Sequence, residues 1–369
     1  MSNKSPILIF LVCFANMAFA KVESEFIMEG LPPHLLNRAA HQASSILLAN
    51  VNQSHVVTIK TWDTSKPLKV CFFGGSNVVR KKIAGVANSW ARVEGTSLKF
   101  DFGDLNSVNS CGVSGARYDI RIGFAYKGYW STVGTDSVNL AAQHEQSMNL
   151  SLFNINPPSE PEFSRVVLHE FGHAIGLAHE HQIEESACPV EFNWDAIYTY
   201  LKGAPNYWSK DQIDHNLRPI EAQNGDYIGD FDKESIMLYT FPKSFYKSET
   251  PKCFTAGNYS ISKGDKDAVT DYYPSNFSLA SQKKEDAFEK YSDEIRALSI
   301  PNDEKDTAIS SAKEIFKTTN FKSLIQSNIE IAPQAQFNYE RTFINSDLYK
   351  SPVLQDVDVK QGGIKIDIK

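Results

Sequence analysis

Residues 166–182 read VVLHEFGHAIGLAHEHQ and hold four of the chain's nine histidines. A run this apolar and this rich in imidazole leaves few ways to fold. His169 and His173 are four apart, so on a helix both rings leave one face, a turn apart, and can hold one ion. Gly176 follows three residues later, where glycine adopts without strain the left-handed conformation that ends a helix. The chain can then turn back, and His179 is the first residue placed to give a third nitrogen. Three histidines leave one tetrahedral position of Zn²⁺ open, the arrangement of catalytic rather than structural sites. Glu170, directly after the first ligand, is placed to act as general base on a water whose pKa zinc lowers to roughly 7. His181 reads as a neighbour of a complete site or a surface residue, and His144 and His215 as ordinary solvent-facing residues.

The remaining composition limits what surrounds such a site. A chain of 369 residues, 42% hydrophobic, can bury a substantial core, and a net charge of -7 offers no basic surface for nucleic acid. Lys4, the apolar stretch Ile7 to Ala15 and the small-x-small triplet Ala18-Phe19-Ala20 read as a secretory signal, with the mature chain beginning near Lys21. No later segment is apolar enough to span a bilayer. With Cys13 in the signal, Cys71, Cys111, Cys188 and Cys253 form an even set suited to two disulfides in an oxidising compartment. Three pairings are open. Cys71 with Cys111 and Cys188 with Cys253 keeps each bridge within one half of the catalytic region.

The texture of the chain places these features in an α/β opening followed by a helical region. A possible helix runs from His34 to Leu48 behind Pro32-Pro33. LKVCFF from Leu68 is a strand run, and NVVRKKIAGVANSWARV puts Val79, Ile83, Val86 and Trp90 on one helical face. SLKFDFG, YDIRIGFAY, YWSTVG and SMNLSL follow as strand candidates. Beyond the histidine run, Ser209 with Gln212 and Ser262 with Asp265 have the spacing of capping boxes. From Ser275 the composition turns more charged, with helical spacing at Phe288, Tyr291, Ile295 and Leu298 and again at Ile309, Ala312 and Phe316. The last residues alternate around Gly362-Gly363 as a hairpin does.

HEFGHAIGLAH fits HExxHxxGxxH, the signature of the metzincin zinc endopeptidases, whose second mark is a methionine turn. SIMLY, Ser235 to Tyr239, fits that turn; with Glu180 immediately after His179, it resembles the astacin family in particular. IRIGF, YWSTVG, MNLSL, HEHQ and ISKGDKDAVTDYYP extend the resemblance, which is strongest to bacterial and fungal astacin-like proteases, over about residues 60–274. It implies an α+β fold: a metzincin-type catalytic domain with a mixed twisted sheet and active-site helix above a mostly irregular and helical lower subdomain, plus a small C-terminal extension. It also implies Met237 as an apolar floor beneath the metal and Tyr239 as a mobile phenol that meets the oxyanion during turnover. Two positions depart from the pattern: Leu177 stands where astacins usually have Phe, and Leu238 where they usually have His. No aspartate-switch motif precedes Pro67, since FDFGD at 100–104 lies in a strand candidate.

The expectation is a secreted, or in a bacterium periplasmic, endopeptidase. One Zn²⁺ per chain would be held by His169, His173 and His179, with Glu170 and Tyr239 catalytic and proteins or peptides as substrates. The expected organisation is a signal over 1–20, an N-terminal segment over 21–60 that is a possible propeptide, a catalytic domain over 61–274 and an extension over 275–369. An extended substrate would pair with an edge strand near Tyr129 to Gly134, with Trp130 as one pocket wall. Two alternatives stay open: a zinc hydrolase of a non-protein amide such as a cell-wall peptide, and a zinc-binding or adhesion module without catalysis.

Overall fold

A computed structural model describes residues 30–45, 60–104, 106–183, 186–204, 206–219, 231–317, 357–360 and 363–366. The expected signal therefore lies outside the described residues, as do Leu48 at the end of the first helix candidate and the side chains of His215 and Phe316. Among the described residues, no helix is long and apolar enough to cross a membrane.

The upper half is built on a five-stranded mixed sheet in the order β2-β1-β5-β7-β6. β1 (Leu68–Phe72) runs parallel to β2 (Phe100–Asp101) and to β5 (Ile120–Gly123), with Val70 beside Ile120 and Phe72 beside Ile122. β7 (Met148–Leu150) continues the parallel set, and β6 (Tyr129–Ser131) closes it antiparallel at the edge, Trp130 opposite Asn149. The edge strand was expected from Tyr129 to Gly134; pairing ends at Ser131 because Val133 and Gly134 turn the chain into the short helix α3 (Asp136–Asn139). SLKFDFG becomes β2 and the start of a small hairpin, β3 (Gly103–Asp104) with β4 (Ser107–Val108).

Two helices complete this half. In α2 (Asn77–Ala91), Ser76 caps the N-terminus, and Val79, Ile83, Ala87 and Trp90 are buried at the spacing of one face. It packs on α4 (Glu162–Ala174), where the Trp90 indole N–H donates to Leu168 O at 2.9 Å. Phe72, Ile83, Ile122, Val167 and Phe171 share the resulting core. Arg121 is fully buried in β5 and donates to the carbonyls of Tyr118, Ala141 and Glu145, which folds the 136–146 segment against the strand.

A second core holds the lower half. α5 (Cys188–Glu191), α6 (Trp194–Lys202) and α7 (Lys210–Leu217) gather Phe192, Ile197, Leu201, Ile213 and Leu217 around Leu238, Phe241 and Phe245. The expected capping box at Ser209 and Gln212 opens α7, and that at Ser262 and Asp265 opens α8 (Lys263–Tyr272). Cys71 pairs with Cys111 in the upper half and Cys188 with Cys253 in the lower. Toward the C-terminus, α9 (Phe277–Ala297) and α10 (Asn302–Lys317) pair around Ala287, Tyr291, Ile295, Ala308 and Ala312. The final hairpin forms between β8 (Val357–Lys360) and β9 (Gly363–Ile366). At the other end, α1 (Pro33–Ser45) buries Leu35 against Trp130, Leu140 and Ala141.

Candidate active site

α4 delivers His169, Glu170 and His173, all buried, to the cleft between the halves. Its end is set by Gly176, at a φ of +101°. The N–H of Leu177 closes on Gly172 O at 2.9 Å and that of Gly176 on His173 O at 2.8 Å, the double closure that seals a helix at a left-handed residue. This turn also orients a ring: Leu177 O lies 2.8 Å from His173 Nδ1.

The other two rings are held in the same way. His169 Nδ1 is 2.8 Å from Ile236 O, and His179 Nδ1 is 3.2 Å from the side-chain oxygen of Gln182. A ring that donates from Nδ1 presents the Nε2 lone pair, so acceptors at all three Nδ1 atoms select the ligating tautomer. The three histidines offer one nitrogen each within 4.8 Å of one another, and the Nε2 atoms of His173 and His179 approach to 3.0 Å. Burial, followed by the charges of His173, His181 and His169, pushes His179 well below the usual imidazole range and keeps it neutral. This donor set fits a zinc ion.

The methionine turn lies directly beneath. Ile236 O is the acceptor that orients His169, and the turn is itself held by Asp265, which accepts from Ser235 Oγ at 2.7 Å and Ile236 N at 2.9 Å. Asp265 was read from sequence only as a helix cap; it serves both purposes. Met237 is buried so close to α4 that a Cβ on Gly172 would sit 2.3 Å from its sulfur. The Tyr239 ring lies 4.3 Å from that of His179 and 5.4 Å from that of His169. Glu180 accepts from Asp232 N at 2.6 Å, which joins the third histidine to the approach of this turn. Burial and then the neighbouring Asp265 and Asp232 charges raise its carboxyl to about 7, against the Asp232 hydrogen bond.

Of the two readings of His181, the neighbour of the site holds and the surface residue does not, its ring lying 5.2 Å from that of His179. It is fully buried, its Nε2 is 2.9 Å from Asn216 O, and its ring lies 5.2 Å from Tyr239 and 5.0 Å from Phe241. A carbonyl acceptor and an aromatic slot make burial of a polar ring tolerable, and neither is visible in local sequence. His144 is exposed, as expected. Gly134 was also missed: its N–H donates to His173 O at 2.9 Å, and a Cβ there would lie 2.4 Å from Lys60 O.

The family model of the astacin peptidases matches residues 119–272, which contain the histidines, the methionine turn and α8. Over this region the chain is similar to the astacin family. It is a zinc-dependent endopeptidase, with proteins or peptides as substrates. Similar solved structures include two of myroilysin, both 29% identical and covering 58% of this chain; they are covered over 96% and 86% of their length, at TM-scores of 0.48 and 0.42. Another is high choriolytic enzyme 1, a hatching-enzyme zinc-protease from the medaka fish Oryzias latipes. It is 16% identical, with 57% of this chain and 92% of that one covered, at a TM-score of 0.35. No curated protein matches the chain. The two disulfides and the lack of a membrane-crossing helix among the described residues are consistent with an extracellular enzyme.

Proposed function

We propose that His169, His173 and His179 hold the zinc, that Glu170 is the general base and that Tyr239 stabilises the oxyanion. The observation that carries this reading is the set of acceptors at the three Nδ1 atoms, which turns the ligating nitrogens toward one point. Zinc supplies Lewis-acid polarisation of the scissile carbonyl and lowers the pKa of an attacking water. Glu170, on the same helix and lining the same cleft, accepts the proton of that water and passes it to the leaving amine. The Tyr239 hydroxyl donates a hydrogen bond to the tetrahedral oxygen as charge develops. β6, at the sheet edge, offers backbone groups for an extended substrate, and Trp130 lines the cleft beside it.

The chain is further proposed to be secreted behind the signal over 1–20, with a catalytic domain over 61–274, an N-terminal segment over 21–60 and a C-terminal extension over 275–369. Cleavage of a fluorogenic peptide library tests the assignment of the site. Wild type should cut, chelation should stop it, and Glu170→Gln should keep one zinc per chain without cutting. Zinc bound one per chain with cleavage of cell-wall peptides alone would favour the non-protein amide; full activity in Glu170→Gln would remove that residue from the mechanism.

A further inference from the structure

The three histidine rings are all oriented at Nδ1, but their acceptors are not alike. Ile236 O and Leu177 O, which hold His169 and His173, are backbone carbonyls and can only accept, so each fixes its ring in one form. His179 meets instead the side-chain amide of Gln182. An amide carries a carbonyl on one arm and an NH2 on the other, and a half-turn about its last torsion exchanges them. With the oxygen toward His179, the ring keeps its proton on Nδ1 and presents the Nε2 lone pair, 3.0 Å from Nε2 of His173. With the nitrogen toward it, Nδ1 would have to accept, the proton would sit on Nε2 and the third ligand would be lost.

The choice between the two is made from the lower wall of the cleft. Gln182 Nε2 donates to Arg218 O at 3.1 Å; the amide oxygen in its place would set two acceptors face to face without a hydrogen between them. Gln182 is 7% exposed, so little water can stand in for Arg218 O. Arg218 is the cap residue of α7, and the last carbonyls of a helix have no partner within it. A second of them is filled from the same short turn, Glu180–Gln182, because the His181 ring meets Asn216 O at 2.9 Å. The turn that follows the third ligand is thus held on the end of α7 at two points. α7 is itself fixed. Ile213 and Leu217 lie in the lower core, and Arg218 donates to Asp214 and to the Tyr198 hydroxyl, each at 3.0 Å, with its guanidinium 4.4 Å from the Trp194 ring.

We propose, on the zinc reading of the three histidines, that Gln182 is a positioning residue for the metal: Arg218 O orients its amide, and the amide holds His179 in the tautomer that ligates. Two ligands are set by carbonyls that have no alternative. The third is set by a relay that begins at the end of α7 and passes through a side chain able to turn either way.

The test uses the full-length chain as wild type, Gln182→Glu and Gln182→Met. Glutamate has an oxygen on both arms, so it accepts from His179 whichever way it turns and no longer needs Arg218 O; methionine has a similar reach and neither arm. Zinc affinity is read by competition with a chromogenic chelator, and the His179 tautomer of the metal-free chain by NMR of the imidazole nitrogens. Wild type and Gln182→Glu should both hold the proton on Nδ1, and Gln182→Glu should bind zinc at least as tightly as wild type. Gln182→Met should show both tautomers and bind zinc about 10- to 100-fold more weakly. Gln182→Ala, which asks less of the packing, should show the same loss and serves where methionine disturbs the fold, as urea unfolding of the metal-free forms will tell. Equal losses in the glutamate and methionine variants would reduce Gln182 to packing and overturn the proposal, as would wild-type affinity in Gln182→Met or a proton on Nε2 of His179 in wild type. Neither readout uses cleavage. A chain that binds zinc in this pattern but cuts no peptide refutes the endopeptidase reading and leaves the role of Gln182 standing; one that binds no zinc in any form overturns both.

Discussion

Replacing Lys284 by methionine should stabilise the chain near neutral pH, by an amount that disappears as the solution becomes alkaline. Lys284 is 9% exposed. Burial pulls its ammonium from 10.5 down to about 8, with the Asp63 carboxylate opposing the shift. A depression from 10.5 to about 8, at about 1.4 kcal/mol per unit, is a penalty of roughly 3 kcal/mol for holding the charge in the fold. Below pH 8 both folded and unfolded chains keep the proton, so the penalty is complete. Between 8 and 10.5 the unfolded chain binds more protons than the folded one, and wild-type stability from this group rises with pH. Methionine has nothing to titrate and a similar reach, but gives up the hydrogen bond to Thr61 O, worth about 1 kcal/mol. The variant should therefore gain about 2 kcal/mol at pH 7 and nothing, or a small loss, at pH 10. Urea unfolding of both proteins at the two pH values measures this. Tyr272 and Tyr273, both raised by burial, titrate alike in the two proteins and cancel in the difference. A difference between variant and wild type that stays constant from pH 7 to pH 10 would refute the reasoning.

Glu170→Gln should lose about 10²- to 10⁴-fold in kcat while its zinc content, read by atomic absorption, stays at one per chain. Tyr239→Phe should lower kcat by about 10²- to 10³-fold with little change in KM, as expected for a hydrogen bond made chiefly in the transition state; an equal loss in KM alone would assign the hydroxyl to ground-state binding. Gly172→Ala brings a methyl group to 2.3 Å from the sulfur of the buried Met237 and 3.4 Å from the Trp90 ring, so the methionine must repack, and should cost about 1 to 3 kcal/mol in thermal or urea unfolding.

What could be read from the sequence was what a single turn of helix or a local turn dictates. The spacing of His169 and His173 carries its own geometry, Gly176 announces the end of α4, and Ser209 and Ser262 announce the start of α7 and α8. The pairing of Cys71 with Cys111 and of Cys188 with Cys253, preferred because it keeps each bridge within one half of the catalytic region, is the one the structure has. Contacts that depend on distant chain meeting distant chain left no such trace. Lys284 reaches Thr61 across 223 residues, and Asp265 grips Ile236 across 29 while serving as an ordinary helix cap. Gly172 looks like a spacer until Met237 is laid against it.

His181 and α1 show why the remainder resisted. A polar ring is assigned to the surface unless its partners are known, and the partner of His181 is a backbone carbonyl in α7, which no side-chain pattern encodes. In α1 the pattern did predict a helix, but the helix is short and its buried residues include Leu35 and a partly covered Ala39. Its meaning lies in the wall it touches. Trp130 was read as a side of the substrate pocket, and the structure buries it against Leu35, Leu140 and Ala141, a contact between distant parts of the chain.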